Sequence, residues 1–223
     1  MTEPGPGQSS PSETTAGPRR PAQERTCEVR WIRPGRHGSE IASWFSRFSQ
    51  VPETRDDDYL ISPRMPGLSI KIRGGASFEV KEHRGTVGAL DVAAAAAGGI
   101  DSWIKRSIPL AGGLDFSRPL DGTAWRRVSK RRQIARFPIG TSGDPDAPGA
   151  VVCSVELTEV EVIGQSWWTL GFEAGGRGAL GGIKRTAAVV FAEPCPTASA
   201  FRAEEACSYA EWIHGLGHPG GTR

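Results

Sequence analysis

Residues 68–81, LSIKIRGGASFEVK, alternate with a period of two on both sides of a Gly-Gly pair. That period belongs to a strand, where successive side chains point to opposite faces. Gly74-Gly75 supplies the tight turn between two such strands. Ile70, Ile72, Phe78 and Val80 fall on one face, and Lys71, Arg73, Glu79 and Lys81 fall on the other. A charged face of both signs suits bulk water. It also suits the wet interior of a closed sheet.

The same alternation recurs along the chain. In CEVRWI, Glu28 and Arg30 share one face and Val29 and Trp31 the other. Ser39 opens a short helix with Ile41, Trp44, Phe45 and Phe48 at helical spacing, which reads as core packing. Residues 55–61 read as a turn running into a strand, with Asp58 pointing inward beside Tyr59. Residues 86–99 are rich in Ala and Gly and read as a short helix or a loop. A strand over 100–110 carries Trp103 and Lys105, and a turn-rich connection follows at 115–122.

Residues 125–137, WRRVSKRRQIARF, are the most basic stretch. Taken as a strand, they place Arg126, Val128, Lys130, Arg132 and Ile134 together, opposite Arg127, Ser129, Arg131 and Gln133. After a loop at 140–149, strands at 151–163 and 167–174 form a hairpin. Glu156 shares a face with Thr158, and Glu173 with Gly171 and Thr169. A helix over 177–193 shows a stripe of Leu180, Ile183, Ala187, Val190 and Phe191, ended by Pro194 and Pro196. A second helix is expected over 200–213. Strands joined by short turns, with helices late in the chain, argue for an α+β fold. It is a mostly antiparallel β-barrel or tunnel with helices packed outside.

Composition limits what such a chain does. Residues 1–25 are poor in apolar side chains and rich in Pro, Ser and Gly, the signature of a disordered tail. The folded unit is then 26–214, and the Gly-rich stretch 215–223 is a frayed end. Lys and Arg total 27 against 25 Asp and Glu, so the basic 125–137 stretch is set in a nearly neutral molecule. This argues against nucleic acid as a partner. Cys27, Cys153, Cys195 and Cys207 form no CxxC pair, which points away from a zinc cluster and towards the cytoplasm. No run reaches the ~18 apolar residues of a spanning helix, so no membrane partner is expected.

If the charged faces meet inside one barrel, Lys and Arg from facing strands would grip phosphate oxygens. Carboxylates there would hold a hard divalent cation that bridges to those phosphates. The order of EVR, DDDYL, SIKIR, FEVK, SKRR, VELTEVEV, WWTLGFEA and SYAEWI resembles the CYTH superfamily, the triphosphate tunnel metalloenzymes. The resemblance spans residues 27–213. It implies a metal-dependent phosphohydrolase acting on a triphosphate or other phosphoanhydride. Arg30, Lys71, Arg73, Lys81, Lys130 and Arg132 would be phosphate ligands. Glu28, Glu79, Glu156 and Glu173 would hold Mg²⁺ or Mn²⁺.

The chain departs from the family pattern where Thr26, Thr158 and Gly171 stand in place of carboxylates, and Arg30 in place of a lysine. Fewer carboxylates weaken divalent binding. The alternative is therefore a non-catalytic module that binds an organic phosphate or polyphosphate.

Overall fold

The computed structural model describes residues 22–49, 51–62, 64–110, 124–140, 145, 150–197 and 199–216. Of the tail expected over 1–25, residues 22–25 are instead the start of the first strand, held by backbone pairing to residues 104–107, while residues 1–21, the 115–122 connection, most of the 140–149 loop and the end from 217 lie outside the described residues. Eight strands form the fold: β1 (Ala22–Pro34), β2 (Glu53–Leu60), β3 (Leu68–Arg73), β4 (Ser77–Val92), β5 (Ala96–Pro109), β6 (Trp125–Pro138), β7 (Val152–Val162) and β8 (Gln165–Gly175). All neighbours are antiparallel. The order β1-β5-β4-β3-β2-β6-β7-β8 closes on itself, so the barrel has no free edge.

The helices are α1 (Ser39–Ser46), α2 (Ala179–Val190) and α3 (Tyr209–Gly215). The first two cover the outside of the barrel. Val29 and Trp31 of β1, Val155 and Leu157 of β7, and Leu170 and Phe172 of β8 point outward. They pack against Ile41, Trp44 and Phe45 of α1 and Ile183, Ala187 and Val190 of α2. Trp31 is fully buried and meets the Phe172 ring edge-on at 6.3 Å. Such a pair adds about 0.5–1.5 kcal/mol beyond its buried area. The main apolar core thus lies between the barrel wall and the helices.

The inside of the barrel differs from end to end. Inward-facing Ile32, Tyr59, Val128, Val160 and Val162 occupy one end, and α3 packs into them through Trp212 and Ile213. His214 fixes this plug: the Ser62 N–H donates to its Nδ1 at 3.2 Å, and its Nε2 bonds the Leu68 carbonyl at 3.0 Å. Towards the other end the inward side chains are charged.

Two further segments depart from expectation. The stretch 86–99 is neither helix nor loop but the far half of the β4–β5 hairpin, with Val92 paired to Ala96 and Asp91 to Ala97. Its Ala and Gly residues have little local preference, and packing decides their conformation. A Cβ on Gly98 would lie 3.0 Å from Val29 Cγ2 and 3.1 Å from Ala206 Cβ, so the absence of a side chain lets the hairpin approach β1. The helix expected over 200–213 splits as well. Phe201 docks into the outer core, a 3₁₀ turn spans Ala203–Glu205, and α3 starts afresh at Ser208. Ser208 Oγ accepts from Glu211 N–H and Glu211 Oε2 accepts from Ser208 N–H, a capping box that sets the start of the helix.

Candidate anion-binding cavity

Strand alternation, closed into a barrel, brings the charged faces together around a cavity of ≈ 260 Å³. Glu28 and Arg30 come from β1, Lys71 and Arg73 from β3, Glu79 and Lys81 from β4. Lys130 and Arg132 come from β6, Glu156 from β7 and Glu173 from β8. All ten residues singled out in the sequence therefore line one cavity, although 145 positions of chain separate Glu28 from Glu173. The sequence reading missed Arg55 of β2, Lys105 of β5, Arg136 of β6, Ser208, which caps α3, and Tyr209, its first residue, which line it as well.

The expectation that Asp58 points inward is corrected. Asp57 and Tyr59 face the interior, and Asp58 faces out, where Arg127 Nε and Nη2 bond its two oxygens at 3.0 and 3.1 Å. Three consecutive aspartates leave the parity of this strand open. Its pairing with β6, Arg55 opposite Lys130 and Tyr59 opposite Arg126, settles it.

Nine cationic side chains border the cavity against four carboxylates. Glu28 accepts from Arg30 Nε at 2.8 Å and from Lys81 Nζ at 2.6 Å. Lys81 also reaches Glu173 at 2.8 Å. Glu156 accepts from Arg132 Nη2 at 2.6 Å and from Thr158 Oγ1 at 2.9 Å, and stands 3.4 Å from Arg30 Nη1. Glu79 is ringed by Arg73 at 3.2 Å, Lys71 at 3.4 Å and Lys105 at 3.8 Å. Beneath them lies Asp57, fully buried, bonded by Arg55, Lys71 and Lys130 at 2.9, 3.1 and 3.0 Å.

These neighbours set the charge states. Burial alone would push the Glu28 carboxyl up, but Lys81 and Arg30 hold it down at about 2. Burial likewise opposes ionisation of Glu156 and Asp57, and their cationic neighbours hold both well below the usual carboxylate range. Lys130 shows the reverse. The residue is 5% exposed, and its ammonium donates to Tyr59 Oη at 2.8 Å and sits 4.2 Å from the Tyr209 ring centre. Burial, aided by repulsion from Lys71, outweighs Asp57 and lowers it to about 7. Asp57 keeps two other cations, so Lys130 is the member of the pair that gives up its charge first.

A resident divalent ion needs several oxygens converging on one point. The four expected metal ligands do not converge. Each is taken up by Lys or Arg, and among the described residues no group of three or more His, Cys, Asp and Glu side chains is placed to share an ion. Glu28 and Glu173 come nearest, paired across β1 and β8 with Lys81 bridging them. The donor set does not fit a resident metal.

Arg30 and Gly171 account for each other. A Cβ on residue 171 would lie 2.7 Å from Arg30 Cζ, so the guanidinium occupies the room that the glycine leaves.

No protein-family model matches the chain, and no curated protein matches it. Among solved structures it is similar to the PH1819 protein of Pyrococcus horikoshii OT3. That match has 14% identity and a TM-score of 0.45, and covers 83% of this chain and 97% of that one. It is also similar to the Mimivirus capping enzyme triphosphatase, with 12% identity, a TM-score of 0.41 and coverage of 76% and 88%. A chain of the Schizosaccharomyces pombe Mediator head module gives 11%, 0.39, and 74% and 92%. At these scores the overlap is loose. No helix among the described residues is long and apolar enough to cross a membrane.

Proposed function

We propose that the barrel binds a small phosphoanhydride of the triphosphate class inside its cavity. The observation that supports this most is the convergence of nine cations on one partly desolvated space inside the barrel. Buried Lys and Arg pairs lose much of their hydration, and a polyanion with several oxygens restores their hydrogen bonds. The volume of ≈ 260 Å³ is below the ~300 Å³ at which drug-sized pockets begin, which favours a compact anion over a polymer. Arg30, Lys71, Arg73, Lys81, Lys130 and Arg132 would contact the phosphates, joined by Arg55 and Lys105.

Calorimetric titration with inorganic tripolyphosphate tests this reading, with sulfate and a neutral sugar as controls. Saturable binding of tripolyphosphate, lost in Lys71→Met/Arg132→Met, is expected. No heat and no rise in melting temperature at millimolar ligand would end it.

Metal-assisted hydrolysis, which the family resemblance implies, is a second reading. The Glu28–Glu173 pair favours it, since two carboxylates plus substrate phosphates can suffice for Mg²⁺. Lys81 would first have to release both. Phosphate release from a panel of triphosphates with Mg²⁺ or Mn²⁺ would establish it, and none across the panel would leave binding alone.

A further inference from the structure

The geometry points to a cavity that takes its phosphoanhydride as the bare polyanion rather than as a divalent-metal complex, with the Arg30 guanidinium supplying charge beside Gly171. The inference rests on the proposed binding of a phosphoanhydride and goes further by naming the ionic form bound.

Two observations carry it. First, both oxygens of Glu28 and of Glu156 already accept hydrogen bonds from protein groups. A metal ion entering with the ligand would have to break these bonds and leave buried cations unpaired, a costly exchange. Second, Arg30 is held in place from several sides. Glu28 accepts from its Nε at 2.8 Å, Thr169 Oγ1 accepts from its Nη1 at 3.0 Å, and the Tyr209 ring lies 4.7 Å from its Cζ. Its guanidinium fills the space beside Gly171, where an acidic side chain would need to stand. A fixed cation thus sits where an extra metal ligand is sterically excluded.

The test is calorimetric titration of the full chain with sodium tripolyphosphate in EDTA and in excess Mg²⁺. Binding in EDTA is expected to be at least as tight as in Mg²⁺, because chelated Mg²⁺ cancels charge that the cations would otherwise meet. Two variants sharpen this. Glu173→Gln removes a competing negative charge from a partly exposed position and is expected to tighten binding in EDTA. Arg30→Lys keeps the charge but loses the planar fork, and is expected to weaken binding about tenfold in EDTA. Binding that appears only with Mg²⁺, or that Glu173→Gln weakens, overturns the inference and leaves the binding function standing. Absence of binding in both arms removes the function and the inference with it.

Discussion

At the scale of single residues, Lys130 is a cavity side chain whose charge changes near neutral pH. It is buried beneath the cavity, and its ammonium is lowered to about 7, so it is neutral above that pH and charged below it. An anion prefers the charged form. Tripolyphosphate affinity in the native chain should therefore fall as pH rises from 6 to 8, by up to about tenfold if only the protonated lysine contributes. The ligand's own titration acts in the opposite direction, since it becomes more anionic with pH. Lys130→Met isolates the two effects, because it retains the ligand's titration and loses the lysine's. Dissociation constants at pH 6, 7 and 8 for both proteins check the point, and parallel pH profiles would refute it. Asp57 should tolerate the substitution, as Arg55 and Lys71 remain bonded to it.

At the scale of elements, α3 decides whether the barrel is a channel or a one-ended vessel. Its start depends on the Ser208–Glu211 capping box, and its apolar face meets inward side chains from several strands. Tyr209, the first residue of the helix, also forms part of the cavity floor beneath Arg30 and Lys130. Loss of the cap should thus weaken both the plug and the site. Ser208→Ala is expected to cost about 1 kcal/mol, read from the shift of the urea midpoint at unchanged slope. Amide exchange over 209–215 should accelerate more than exchange in β7 and β8. Uniform acceleration would mean that α3 unfolds only with the whole domain. The β4–β5 hairpin makes a related point. Gly98 allows β5 to press against Val29 and Trp31, so conformation there follows from contact with the outer core.

At the scale of the whole molecule, the arrangement of polarity is inverted relative to a barrel filled with apolar side chains. The main apolar core is outside the wall, and ionised groups fill the interior beyond the apolar end that α3 plugs. Such an interior ties stability to the ionisation of its carboxylates. Glu28, Glu79, Glu156 and Asp57 all have folded values below their ordinary ones. Groups depressed in this way stabilise the fold fully above their unfolded values of ~4 and lose that contribution as pH falls through the folded ones. Lys130 is protonated in both folded and unfolded chains well below pH 7 and adds no slope there. Urea midpoints should hence be nearly level from pH 6 to pH 5 and drop steeply from pH 4 towards pH 2. A level profile down to pH 2.5 would show that the ion pairs contribute little.

The sequence by itself determined which side chains share a face. In a strand, facing is a local property with a period of two, so Glu28 with Arg30, Lys71 with Arg73, Glu79 with Lys81, and Lys130 with Arg132 could be grouped without coordinates. It also determined α1, α2 and the turn at Gly74-Gly75. Only the tertiary structure decided which strands pair. The contacts of β1 with β5 and of β2 with β6 join distant segments, and no local preference encodes them. Closure then fixed what local patterns had left open: Asp57 inward in place of Asp58, Ala- and Gly-rich strands in place of a helix or loop, and α3 as a plug. It also set each carboxylate beside a cation instead of beside another carboxylate. Charge on a strand face can be read one residue at a time, whereas the partner of that charge depends on what the barrel brings opposite it.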